Sequence, residues 1–225
     1  MTKFSKLAVV AALAVSAAGA SATGLIDDFS VGQALASDTS TNGLAVWSPQ
    51  VAGGMIGGFR DLFVQKTGAF GDDGFAGVSA FVNGGRLNYS QDSGQSGIGY
   101  VRWDGIATGG AINTSGLGGM NLISLMGPLG ISVQVLSADL NFPFTFQVWT
   151  DPTNTNTWVM SQATTLAAAG PGAYQLLFSS FVGADFTRVG AVQMLLNDGI
   201  RNDIPRLTGN RLSRSRLQIC ILYSA

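Results

Sequence analysis

Phe142-Pro143-Phe144-Thr145-Phe146-Gln147-Val148-Trp149-Thr150 is the stretch on which the fold turns. Side chains alternate along it. Phe142, Phe144, Phe146 and Val148 fall on one side, and Thr145, Gln147 and Trp149 on the other, the period of a half-buried strand. Asp151-Pro152-Thr153 follows as a turn. The apolar set predicts a core row. Trp149 lies on the polar side, where two readings are open: a rim residue covered by a loop, or a platform on which a sugar ring stacks.

The same pattern extends outward. In 85–91, Leu87 and Tyr89 oppose Asn88 and Ser90. In 99–103, Tyr100 and Arg102 share a face opposite Val101 and Trp103. An aromatic ring beside a fork-shaped donor suits a sugar and equally suits a satisfied sheet surface. Further runs at 24–30, 44–48, 59–65, 75–82, 121–125, 131–136, 157–161, 174–179 and 189–196 read as strands, with Asn83-Gly84-Gly85 and Asp92-Ser93-Gly94 as turns between some of them. After the first 22 residues Glu is missing and Lys nearly so, while Gly, Ser, Thr, Asn, Val and Phe dominate, a composition of strands and tight turns. Residues 164–170 are the one local helix candidate, stopped by Pro171. These observations predict an all-β fold, a jelly-roll or concanavalin-like β-sandwich of two antiparallel sheets.

At the N-terminus, Lys3 and Lys6 precede the small, apolar run 7–19, and Ala20-Ser21-Ala22 offers small residues for cleavage after Ala22. Residues 1–22 therefore read as a cleavable signal peptide, which places the product outside the cytoplasm, secreted or periplasmic. The apolar run is shorter than the roughly 20 residues needed to span a bilayer, and no transmembrane segment is expected in the remainder. Residues 23–200 read as one sandwich domain carrying five basic and twelve acidic side chains; 201–225, with five Arg and one Asp, read as a basic tail of uncertain order. A body this acidic repels phosphate backbones, which argues against nucleic acid as a partner. Cys220 is the single cysteine and makes no internal disulfide.

The chain contains no His, which removes Ser-His-Asp and Cys-His chemistry and the usual zinc sites. Glycoside hydrolysis needs only two carboxylates. The adjacent pairs Asp27-Asp28 and Asp72-Asp73 are poor candidates, because neighbours in a strand point to opposite faces. No enzymatic activity is expected. Calcium, which prefers oxygen ligands, suits these Asp pairs better, against the plain alternative of solvated turn carboxylates.

The runs Gly24-Leu-Ile-Asp-Asp-Phe-Ser30, Gly57-Gly-Phe-Arg-Asp-Leu62, Gly85-Arg-Leu-Asn-Tyr-Ser90, Gly99-Tyr-Val-Arg-Trp-Asp-Gly105, 135–149 and 181–192 resemble, as a set, exported jelly-roll domains of bacterial proteins with a C-terminal PEP-type sorting signal. The Asp-Asp-Phe opening is also similar to galactose-binding-like carbohydrate modules. The sorting tail itself is not present: no Pro-Glu-Pro or apolar helix precedes the C-terminus. The resemblance implies a jelly roll associated with surface or biofilm polysaccharide, and a structural calcium ion near the first strand, at Asp27 or Asp28. The expectation is an exported, non-catalytic protein that binds polysaccharide weakly through Trp149, Tyr100 and Arg102. The alternatives are a purely structural matrix component without glycan binding and, less favoured, an Asp-based glycoside hydrolase.

Overall fold

The computed structural model of the chain describes residues 24–51, 53–69, 77–92, 95–106, 110–138, 143–164, 170–196 and 215–222. The expected signal peptide, the Asp72-Asp73 loop, Phe142, the body of the expected helix and residues 201–214 of the basic segment lie outside the described residues.

The strands are β1 (Gln33–Asp38), β2 (Val46–Val51), β3 (Phe59–Ala69), β4 (Val78–Asn83), β5 (Arg86–Gln91), β6 (Gln95–Trp103), β7 (Gly130–Ala138), β8 (Phe144–Thr150), β9 (Val159–Thr164), β10 (Gly172–Leu177), β11 (Val189–Leu196) and β12 (Ser215–Leu222). They form two six-stranded sheets, ordered β1-β4-β5-β12-β7-β10 and β2-β3-β6-β11-β8-β9. Every pairing is antiparallel. The protein is an all-β sandwich of jelly-roll type.

The alternation read in β8 is the alternation that builds the core. Phe144, Phe146 and Val148 are fully buried, beside Val192 and Met194 of β11, Val101 and Trp103 of β6, and Leu62 and Val64 of β3. Facing them from the other sheet are Ala80 and Val82 of β4, Leu87 and Tyr89 of β5, and Ile131, Val133 and Val135 of β7. Each large apolar side chain withdrawn from water in this way contributes about 1.5–3 kcal/mol. The β4–β5 hairpin closes through Gly84 and Gly85, at φ 59° and 74°. Positive φ at both central residues makes the turn whose twist matches its strands.

Four local expectations change. Residues 24–30 are not a strand: Asp27 Oδ1 accepts from Phe29 N and Asp28 Oδ1 from Ser30 N, each at 2.8 Å, and these successive side-chain turns put Phe29 at φ 53°. The bridge Asp27–Met55 is the segment's one ladder contact among the described residues, and Gly24 N donates to the Leu125 carbonyl at 2.8 Å. Residues 121–125 open a short helix, α1 (Leu122–Met126), because Asn121 Oδ1 caps Ser124 N at 2.8 Å and Gly127, at φ 83°, ends it. The run 174–179 stops pairing at Leu177 and turns through Phe178–Ser180. Lastly, β12 lies between β5 and β7, so the sandwich continues past residue 200, and part of the segment assigned to a basic tail supplies an interior strand. Without it, β5 and β7 would each face a row of unanswered backbone donors and acceptors.

Candidate functional site

Arg60 and Asp61 are consecutive on β3 and therefore point to opposite faces of their sheet. Arg60 turns inward. It is fully buried, as is Asp27, and its Nη1 donates to both Asp27 oxygens at 2.9 and 3.0 Å. Its Nε donates to Gln33 Oε1 at 2.7 Å and its Nη2 to the Val31 carbonyl at 2.6 Å, while Phe29 lies against the guanidinium. Trp103 Nε1 donates to Asp27 Oδ2 at 2.8 Å. Burial pushes the Asp27 carboxyl up, against the pull of Arg60, Trp103 and Phe29. The carboxylate thus serves an internal ion pair; a cation there would have to displace Arg60. Asp28 is half-buried and accepts from Ser30, and partial burial opposes a net lowering of its pKa by those hydrogen bonds. Among the described residues, no three acidic or Cys side chains gather into a metal cluster.

Asp61 points the other way, onto the face of β2-β3-β6-β11-β8-β9 that turns away from the core. Two rows of side chains cross this face at matched register. In the first, Trp47, Phe63, Tyr100, Leu195 and Thr145 are successive partners on β2, β3, β6, β11 and β8. Trp47 and Phe63 have ring centroids 4.0 Å apart, and Phe63 stacks on Tyr100 at 4.2 Å with an interplanar angle of 15°. In the second row, Asp61, Arg102, Gln193, Gln147 and Gln162 are partners on β3, β6, β11, β8 and β9. Arg102 Nε donates to Gln193 Oε1 at 3.0 Å, Gln193 Nε2 to Gln147 Oε1 at 2.8 Å, and Gln147 Nε2 to Gln162 Oε1 at 3.2 Å. Two residues along β8, Trp149 pairs with Ala191 on one side and Met160 on the other.

Arg102 is 7% exposed and lies 5.3 Å from the Trp47 ring and 5.8 Å from that of Phe63. Its Nη1 donates to the Gly110 carbonyl at 2.9 Å, so the connection after β6 folds back across this end of the face. Burial lowers the guanidinium's pKa, and Asp104, Asp61 and Tyr100 oppose that. Tyr100 and Trp149 remain half-exposed and Gln162 is exposed.

All three residues singled out as sugar contacts, Trp149, Tyr100 and Arg102, therefore stand on one sheet face, separated from Asp27 and Asp28. By strand geometry Tyr100 and Trp149 are roughly 16 Å apart, two strands and four residues along, a span suited to an oligosaccharide rather than a single ring. Gln147 is legible in the sequence as a polar-side neighbour of Trp149, whereas no sequence pattern joins Trp47, Phe63, Gln162 or Gln193 to this face. Gln193 had a signal: it is the lone hydrogen-bonding side chain in the run Val189-Gly-Ala-Val-Gln-Met-Leu-Leu196, which a buried strand tolerates only if partnered.

Beyond Trp149, the 151–157 loop is organised by Asp151, whose carboxylate accepts from Thr155 N, Asn156 N and Arg188 Nη2 at 3.1, 2.9 and 3.2 Å. Trp158 and the Thr114 carbonyl press on β11 at Gly190, where a Cβ would collide with both. A separate open cleft of about 540 Å³ is lined by Leu25, Met55, Ile56, Met120 and Leu125, with Asn121 and Ser124 as its polar side chains. Among the described residues no helix is long and apolar enough to cross a membrane.

No protein-family model matches the chain, and no curated protein matches it. Two solved structures are similar in architecture. One belongs to work on the structural basis for promiscuous specificity in carbohydrate-binding modules of the β-sandwich superfamily; it is 8% identical, with a TM-score of 0.34, over 82% of this chain and 58% of that one. This chain thus spans less than two thirds of that structure. The other is a family 11 carbohydrate-binding module from Clostridium thermocellum in complex with a β-1,3-1,4-mixed-linked tetrasaccharide, 11% identical, with a TM-score of 0.33, over 87% of this chain and 97% of that one. Neither similarity transfers a residue or a ligand to this chain.

Proposed function

We propose that this is an exported, non-catalytic β-sandwich protein that binds polysaccharide on the outer face of β2-β3-β6-β11-β8-β9. The observation that carries this reading is the shared face itself: a stacked aromatic row, a hydrogen-bonded polar row beside it, and Trp149 at the far end. Ring faces supply the apolar contact that a pyranose offers through its C–H groups, and flanking amides and the guanidinium orient its hydroxyls. Half-exposed aromatics keep part of that surface available.

A second reading, a structural surface or matrix component, has its own support. Phe63 and Leu195 are each only 7% exposed and Thr145 3%, so much of the aromatic row already fills the protein's own seams. A glycan array followed by calorimetry separates the two. Binding that weakens about tenfold in Trp149→Ala, near 1.4 kcal/mol, supports the glycan site. Absence of any glycan ligand, or a Trp149→Ala variant that binds as tightly as the parent, contradicts it.

A further inference from the structure

We propose that the glutamine row is a directional hydrogen-bond relay whose exposed end, at Gln162, selects carboxylate-bearing sugars, so that the polysaccharide recognised on this face is a polyuronate. The inference rests on the glycan-binding reading of the face and adds the chemical class of its ligand.

The direction of the relay follows from valence. A guanidinium has donors and no acceptor, so the group facing Arg102 Nε must be the Gln193 oxygen, observed at 3.0 Å. That choice turns the Gln193 amide nitrogen toward Gln147, which must answer with its oxygen, at 2.8 Å. Gln147 in turn offers its nitrogen to the Gln162 oxygen at 3.2 Å. Each amide is oriented by the one before it, and the first is oriented by a fixed cation. The last nitrogen, on Gln162, is thereby committed to face outward as a donor at the exposed edge strand β9. Along the relay the side chains pass from nearly closed to open: Arg102 and Gln193 are 7% and 6% exposed, whereas Gln162 is exposed. Aligned amide dipoles reinforce one another in such a chain.

A donor pole at this position favours an acceptor that carries charge, because hydrogen bonds to an ionised oxygen are roughly twice as strong as neutral ones. Asp61 and Asp104 work against an anionic ligand, whereas the charge of Asp151, two residues past Trp149, is offset by Arg188 at 3.2 Å. The first two lie at the Arg102 end, however: Asp61 is four strand spacings, about 19 Å, from Gln162, and Asp104, past the end of β6, at least three, about 14 Å. Their repulsion across that distance is screened beyond the Debye length of about 8 Å at physiological salt. The donor contact is local and prevails. No carboxylate stands among Thr145, Gln147, Trp149, Met160 and Gln162, the residues that border the pole on β8 and β9. Trp149 supplies the stacking surface: it pairs directly with Met160, and Gln147 pairs with Gln162, which sets the indole diagonal to Gln162 at roughly 7 Å. A uronate ring on the indole can then extend its C5 carboxylate to the amide.

The test uses the purified full chain titrated with an oligogalacturonate and with the same oligosaccharide after its carboxyl groups are reduced to primary alcohols. The uronate is expected to bind at least tenfold more tightly than the neutral form. Gln147→Glu, an acceptor on both sides, forces Gln162 to turn its oxygen outward and is expected to abolish or reverse the preference. Gln162→Met, at the exposed edge, is expected to bring the affinities for the uronate and the neutral form together, and serves if the first variant does not fold. Equal affinities in the parent, or a preference that survives in Gln162→Met, overturn the relay proposal while leaving glycan binding intact. If neither oligosaccharide nor any other glycan binds, the reading of the face fails and the relay proposal falls with it.

Discussion

Arg60 and Arg102 occupy adjacent antiparallel strands of one sheet, each against aromatic rings, and do opposite work. Arg60 points into the sandwich, where Asp27, Gln33 and Val31 take every edge of its guanidinium within the fold. Arg102 points outward and passes its orientation through Gln193 and Gln147 to an exposed amide. One arginine closes a network on itself, and the other holds a network open at one end. The difference follows from phase along a pleated strand: position 60 shares the face of Leu62 and Val64, whereas position 102 shares the face of Tyr100. A buried charge answered by a carboxylate is a requirement of folding. Arg102 shares its charge with Asp104 and Asp61 but also orients a row of neutral amides, and the last of these reaches solvent, where it is available for recognition.

Removing the closed network carries the largest expected effect. Arg60→Met leaves the Asp27 carboxylate buried without its cation, a loss of about 3–5 kcal/mol, which lowers Tm by about 10 °C in a domain of this size. Chemical denaturation measures the first and a thermal scan the second. Millimolar calcium is expected not to restore the loss, because the deficit lies inside the core. Substantial rescue by calcium would identify Asp27 as a metal ligand. Arg102→Leu is expected to cost less, about 1–3 kcal/mol, and to weaken glycan affinity, so that its stability and binding effects separate from those of Arg60→Met.

These networks were legible in the sequence to different degrees. The core rows were readable because period-two alternation is local, and 142–150 displays it within nine residues. The ion pair was not, since Arg60 and Asp27 are 33 residues apart and Trp103 and Asp27 are 76 apart, and only sheet register brings them together. Tyr100, Arg102 and Trp149 could be assigned to polar faces strand by strand, but their common face depends on β11 inserting between β6 and β8. Helix α1 had its signals in Asn121, Gly127 and Pro128, yet its apolar residues are too few to distinguish a single helical turn from a short strand. Strand β12 also alternates, with Leu217, Ile219 and Ile221 against Arg216, Gln218 and Cys220. The clustered arginines drew the reading toward a tail instead.

Two smaller effects sharpen the contrast. Gln193→Leu interrupts the open network at a nearly buried position and is expected to cost about 1 kcal/mol in urea denaturation. The same variant releases Gln147 and Gln162 from their fixed orientation, so its effect on binding should exceed its effect on stability. Asp151, beside the far end of the face, gives a pH signature. Its burial raises the carboxyl's pKa, but Thr155 N, Asn156 N and Arg188 together bring it below the ordinary value. A depressed carboxyl stabilises the fold above its unfolded pKa near 3.9 and loses that contribution as pH falls through the folded value. Asp151→Asn should therefore be less stable than the parent at neutral pH, with the deficit shrinking below about pH 4. A deficit constant from pH 7 to pH 3 would contradict the assignment.

The most direct test of the account is a map of where a glycan touches the protein. Backbone amide shifts followed by NMR during titration with the tightest ligand from the array are predicted to move along 98–102, 145–149, 160–163 and 191–195, the outward strands around Tyr100, Trp149 and the glutamine row. Amides of β4, β5 and β7 should remain in place. Shifts confined to those strands, or to the cleft beside α1, would contradict the claim that the outer face is the binding surface.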